Sequence, residues 1–166
     1  MLRLFGEVKE SITDGPGLRY AVFAQGCPHY CEGCHNPESH SFTEGYLVRE
    51  EAVINEIFKN PLLDGVTLSG GEPFMQAVEL SVVAAAVKSG GLSVIVFSGY
   101  TYEELISLSK ERKGYMSLLE NTDILIDGRF ESRNKSMDLR FRGSTNQRAI
   151  DVPASLKSGA VVLFPL

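Results

Sequence analysis

Tyr20-Ala21-Val22-Phe23-Ala24-Gln25-Gly26-Cys27-Pro28-His29-Tyr30-Cys31-Glu32-Gly33-Cys34-His35-Asn36 joins a nearly continuous apolar run to a loop holding all three cysteines of a 166-residue chain. The run suits a strand buried on both faces. The loop spaces its thiols C-x3-C-x2-C, close enough to converge on one inorganic centre. Structural zinc takes four protein ligands. A [4Fe-4S] cubane has four iron corners, so three thiolates leave one iron open to a substrate or cofactor, whereas an all-cysteine electron-transfer cluster uses four. Three cysteines in one loop therefore read as a catalytic cluster held by Cys27, Cys31 and Cys34. The competing reading is a zinc knuckle completed by His29 or His35. A disulfide framework fits poorly with an odd count and tight spacing.

Working outward, strands alternate with helices. Leu4 to Glu10 suggests a short strand, and Thr13-Asp14-Gly15-Pro16-Gly17-Leu18-Arg19 is turn-rich. Leu47 to Asn60 is amphipathic and ends at Asn60-Pro61. Gly65 to Ser69 reads as a second buried strand, running into Gly70-Gly71-Glu72-Pro73. Two glycines let backbone approach a ligand and expose N–H groups, Glu72 offers a carboxylate to a cation, and Pro73 presets a helical turn. A helix is expected from Phe74 to Lys88, then a strand from Leu92 to Phe97 and the turn Ser98-Gly99-Tyr100. Thr101-Tyr102-Glu103-Glu104 is a capping box. A short helical piece surrounds Met116 to Leu119, and Asp123 to Asp127 is the next strand. This order predicts right-handed βαβ units and a mostly parallel sheet. Eight βα units do not fit, so the expected fold is α/β: an incomplete (β/α) barrel or open curved sheet, a single domain over residues 1–166. The turns after its strands would line one rim.

From Arg129 to Arg148 apolar residues thin out, and six basic residues face two acidic ones. Such a segment suits an anionic ligand group or a docking partner, or is a solvated loop. A helical turn near Pro153 to Lys157 and a short strand from Ala160 to Phe164 would follow. The net charge of −5 argues against a nucleic-acid binder. No apolar run reaches membrane-spanning length and no secretory leader is evident, so a reducing cytoplasmic setting is expected.

The cysteine loop after one strand and Gly70-Gly71-Glu72-Pro73 after the next resemble the radical S-adenosylmethionine (SAM) superfamily. Thr13 to Arg19, Gly33-Cys34, Phe97 to Thr101, Asp127 to Phe130 and Leu139 to Arg148 are similar to one branch, the activating proteins of anaerobic ribonucleoside-triphosphate reductase. The nearest alternative within the resemblance is an activase of another glycyl-radical enzyme, of the pyruvate formate-lyase type. The resemblance implies that Cys27, Cys31 and Cys34 hold the cluster and that SAM chelates its open iron. It implies that Gly70, Gly71 and Glu72 position the methionine amino group; Ser98, on the same expected rim, is a further candidate SAM contact. Asp14 and Arg19 would shape the framing loop. Gly33 stands where many superfamily members carry an aromatic near adenine. His35, where this branch often has tyrosine, is the candidate ring, and which ring meets adenine is left open. The implied reaction uses an electron from reduced flavodoxin or a similar donor to cleave SAM. The resulting 5′-deoxyadenosyl radical removes hydrogen from a glycine of the reductase. Two other classes are a radical SAM enzyme acting on a small molecule, such as a deazapurine synthase, and a non-catalytic zinc module.

Overall fold

The computed structural model describes residues 1–166. Seven strands form one sheet: β1 (Leu2–Ser11), β2 (Arg19–Ala24), β3 (Tyr46–Val48), β4 (Gly65–Gly70), β5 (Ser93–Phe97), β6 (Ile124–Asp127) and β7 (Arg148–Asp151). Five helices accompany them: α1 (Glu50–Ile57), α2 (Ala77–Ser89), α3 (Tyr102–Leu108), α4 (Tyr115–Glu120) and α5 (Val152–Ser158). The strand order is β3-β1-β2-β4-β5-β6-β7. The central pairs β2/β4, β4/β5 and β5/β6 are parallel. The outer pairs, β1 with β2 and β3, and β6 with β7, are antiparallel. The architecture is a mixed, curved sheet with a parallel centre and helices packed around it.

Period-two alternation gives the strands two different faces. Tyr20 and Val22, Val66 and Leu68, Val94 and Val96, and Leu125 join the helices in the main core with Ile57, Leu80, Val83, Leu105 and Leu118. The other parity forms the second face. Ile95, Ile124, Ile126 and Ala149 make a small cluster there, covered by Phe164 and Leu166. Toward the strands' C-terminal ends this second face opens into a cavity bounded by Phe23, Ser69 and Phe97.

Several boundaries differ from the sequence reading. Leu47 lies in β3, paired with Arg3, so α1 begins only at Glu50. An amphipathic pattern continued into an edge strand because a three-residue strand is too short to show its own period. The β7 strand was not anticipated: Ala149 and Ile150 are its only apolar residues, and it follows a polar loop. The expected tail strand reduces to one bridge, Leu163 with Ile150. Pro73 to Gln76 forms a 3₁₀ turn before α2. The capping box at Thr101 is present in both directions. No helix is long and apolar enough to cross a membrane.

Arg19 is buried at the start of β2, the end of the strand opposite the cysteine loop. Its Nε donates to Thr67 Oγ1 at 2.8 Å, and Nη2 to the carbonyls of Val66 at 2.6 Å and Ser93 at 3.0 Å. Nη1 reaches Ser93 Oγ and the Pro16 carbonyl. Burial lowers its pKa to about 10, against the favourable fields of Asp123 and Asp64. The guanidinium thus staples three parallel strands and the turn before β2. Arg19→Leu strands these acceptors and is expected to cost about 3 kcal/mol. The urea midpoint measures it; a change below about 0.5 kcal/mol, as at an ordinary surface site, would show that the staple is dispensable.

Candidate functional site

The parallel centre places the turns after β2, β4, β5 and β6 at one rim, where open α/β sheets bind ligands. A cavity of about 400 Å³ lies there. It is lined by Cys27, Cys31 and Cys34, by Gly70 and Gly71, by Ser98 and Gly99, and by His35. Asp14 also borders it, while Arg19 does not.

The cysteine loop is shaped by its own backbone. Gly26 sits at φ +100°, and its N–H donates to the Ser39 carbonyl at 2.8 Å. Cys27 N–H donates to His40 O, and Cys34 N–H to Cys31 O. The Gln25 side chain holds the returning limb through the Glu38 and Ser41 carbonyls. All three thiols are free. Cys27 is buried, and burial pushes its thiol up to about 11, with the backbone N–H groups of His29 and Tyr30 pulling the other way. Burial also raises Cys31, opposed by the Phe130 backbone. No three His, Cys, Asp or Glu side chains converge as a ligand set for a single ion. The three thiols nevertheless border one cavity, and soft thiolate donors are the ligands that iron–sulfur clusters take.

The Gly-Gly-Glu turn is pressed against this loop. Gly71 N–H donates to Ala24 O at 2.7 Å and Glu72 N–H to Gly26 O at 2.8 Å. The Gly71 and Glu72 N–H groups are therefore already used within the chain. A Cβ on Gly71 would lie 2.5 Å from Gly26 O, and one on Gly70 (φ +95°) 2.6 Å from Ala24 N. These glycines allow the chain to approach itself.

Glu72 is fully buried behind the cavity wall. Its carboxylate accepts from Phe74 N–H at 3.1 Å, from Ser98 Oγ at 3.0 Å and 3.1 Å, from Gly99 N–H at 2.8 Å and from His29 Nε2 at 2.9 Å. It caps the 3₁₀ turn and ties three rim segments together. The Ser98 hydroxyl is committed to Glu72 and accepts from Tyr100 N–H. His35 lies 5.3 Å from the Phe130 ring, centroid to centroid, and both border the cavity.

The segment after β6 supplies the rest of the wall: Phe130, Phe141, Arg142, Gly143 and Gln147. Polar bonds hold it in place. Gln147 Oε1 accepts from Gly143 and Ser144 N–H, and its Nε2 donates to Gly128 O. Asn146 donates to Arg129 O. Arg148 pairs with Asp127 and Glu103, and Arg133 with Glu131. Arg142 is the one Lys or Arg bordering the cavity, and its Nε is buried with no hydrogen-bond partner. Its Nη1 makes only a 3.5 Å contact with Gln147 O. Sequence reasoning did not single out Arg142 or Phe130 as cavity residues, and it weighed His29 only as a zinc ligand. The basic excess of the segment was the available signal for Arg142; no local signal marked the bond between His29 and Glu72.

The family model of the 4Fe-4S single cluster domain matches residues 13–150. Anaerobic ribonucleoside-triphosphate reductase-activating proteins are similar over most of the chain. That of Haemophilus influenzae is 34% identical over 144 residues, covering 82% of this chain and 89% of the relative. That of Pasteurella multocida is 36% identical over 145 residues, with the same coverage. That of Enterobacteria phage T4 is 30% identical over 142 residues, covering 82% and 85%. A chain whose thiol loop, glycine turn and roofing segment all fall inside that shared region belongs to the 4Fe-4S single-cluster family, in the radical SAM branch of anaerobic ribonucleoside-triphosphate reductase-activating proteins.

Proposed function

We propose that the chain is a glycyl-radical activating enzyme whose protein substrate is an anaerobic ribonucleoside-triphosphate reductase. The carrying observation is the single cavity shared by three free cysteines and the Gly70-Gly71 turn, in a chain with no fourth cysteine. When bound, a [4Fe-4S] cluster with SAM on its open iron supplies one-electron cleavage of the sulfonium, with hydrogen abstraction from the substrate glycine as the outcome.

The chain's own residues bind, orient and exclude. Cys27, Cys31 and Cys34 would hold three irons. The carbonyl side of Gly70 and Gly71 offers acceptors to the methionine amino group, and Glu72 holds that turn in place. Ser98 forms the adjoining wall and keeps Glu72 anchored. Arg142, with an unpaired buried Nε, offers a donor to the methionine carboxylate. His35 and Phe130 present ring surface for adenine, and Phe23, Phe97 and Phe141 keep water out of the cavity. Reduced flavodoxin or a donor like it would deliver the electron. The fold read this way is the incomplete barrel of the radical SAM type, in a single domain.

Three measurements test this. Anaerobically reconstituted protein mixed with SAM, dithionite and the reductase is expected to yield 5′-deoxyadenosine and a glycyl-radical EPR doublet. Loss of both signals from fully loaded protein would reject the assignment. Cys31→Ala is expected to abolish cubane assembly; a variant with wild-type iron and SAM cleavage removes Cys31 from the ligand set. Arg142→Ala is expected to weaken SAM binding by about 2 kcal/mol, roughly thirtyfold in Kd. Methylthioadenosine, which lacks the carboxylate, should bind wild type and variant alike. Equal weakening of both ligands would assign Arg142 to the nucleoside end instead.

A further inference from the structure

His29 stands between Cys27 and Cys31 in the chain and borders the same cavity, and its ring packs against other rim segments. The side chain is 3% exposed, and Nε2 lies 2.9 Å from Glu72 Oε2. The direction of that bond follows from its neighbours. Glu72 also receives the backbone N–H groups of Gly99 and Phe74, which can only donate, and the Ser98 hydroxyl. The carboxylate is thus the acceptor for its neighbours' donors, and the facing His29 nitrogen is read as a further donor to it. The ring also stands edge-on to Tyr100, with centroids 4.5 Å apart. A Cβ on Gly99 would lie 2.3 Å from His29 Cδ2 and 2.7 Å from Nε2, so the turn after β5 admits this ring only because residue 99 has no side chain. The His29 backbone N–H meanwhile acts on the Cys27 thiol. One residue thus touches the first cysteine, the turn after β4 through Glu72, and the turn after β5.

We propose that His29 is a positioning residue: its bond to Glu72 locks the cysteine loop in register with the Gly70-Gly71 turn, so that cluster and SAM amino group are held in one geometry. This rests on the ligand assignment above. Partners behind the liganding residues orient them and tune the centre they hold, and backbone donors to cluster sulfurs set its potential. A ring that merely filled space would not need the Glu72 bond.

Wild type, His29→Ala, His29→Gln and Gly99→Ala are reconstituted anaerobically with iron and sulfide and titrated with SAM. The readouts are iron and sulfide per chain, SAM Kd, and the EPR spectrum of the reduced cluster before and after SAM. His29→Ala is expected to keep its iron, to bind SAM about tenfold more weakly, and to show a diminished SAM-induced spectral change. His29→Gln, whose amide can donate to Glu72, should return Kd to within about threefold of wild type. Gly99→Ala should reproduce the loss and add nothing to it in the double variant with His29→Ala. A His29→Ala protein with wild-type Kd and spectrum overturns the proposal. So does failure of both His29 variants to load iron, which would make the residue a folding element of the loop. Wild-type protein that loads no iron or ignores SAM refutes the ligand assignment itself, and the latch with it, before any substitution is compared.

Discussion

One buried carboxylate holds the rim together. Removing an ion from water costs several kcal/mol, and that cost is offset only by well-placed donors. Glu72 finds four of them, on the cysteine loop, on the turn after β5 and in its own 3₁₀ turn. These segments are far apart in the chain. The charge can be satisfied only when β2, β4 and β5 lie side by side with their C-terminal ends level. Formation of the site is therefore coupled to formation of the parallel centre, and the cavity wall inherits its rigidity from an ion that never reaches the cavity surface.

The same strands serve two environments. One parity buries Val22, Leu68 and Val96 under the helices, while the other leaves Phe23, Ser69 and Phe97 around a cavity. Two-sided burial explains why the strands read as apolar runs rather than alternating ones. On the cavity side the row Ala21, Thr67, Ile95 and Ile124 is in register across four strands. Arg19 and Thr67 secure one end of this face, and Glu72 secures the other. Each uses a buried charge with several hydrogen bonds, a directional constraint that apolar packing alone does not supply.

The segment from Arg129 to Gln147 closes the cavity on its remaining side. It is too polar to fold by burial, so side-chain amides do the work: Gln147 and Asn146 bond backbone groups up to 19 residues away. Its charges divide by use. Arg148 and Arg133 have acidic partners, whereas Arg142 has none and borders the cavity. Formal charge alone could not make that distinction, because pairing depends on where Asp127, Glu103 and Glu131 come to lie.

The amino-acid sequence by itself determined the local features: the βα alternation, the capping box at Thr101, the thiol spacing, and the Gly70-Gly71 turn between a strand and a helix. These are set by side-chain period, backbone freedom and steric restriction over a few residues, and all are visible within short windows. Tertiary structure decided what those windows cannot contain. β3 and β7 exist because β1 and β6 offer them partners. The Gly71 and Glu72 N–H groups are spent on the chain rather than offered to a ligand, because Ala24 and Gly26 lie against them. Glu72 sits behind the wall and His29 is tied to it, because neighbours from three separated turns meet there. Hydrogen-bond partners of a buried ion are contacts between distant residues, and only the assembled sheet brings them within reach.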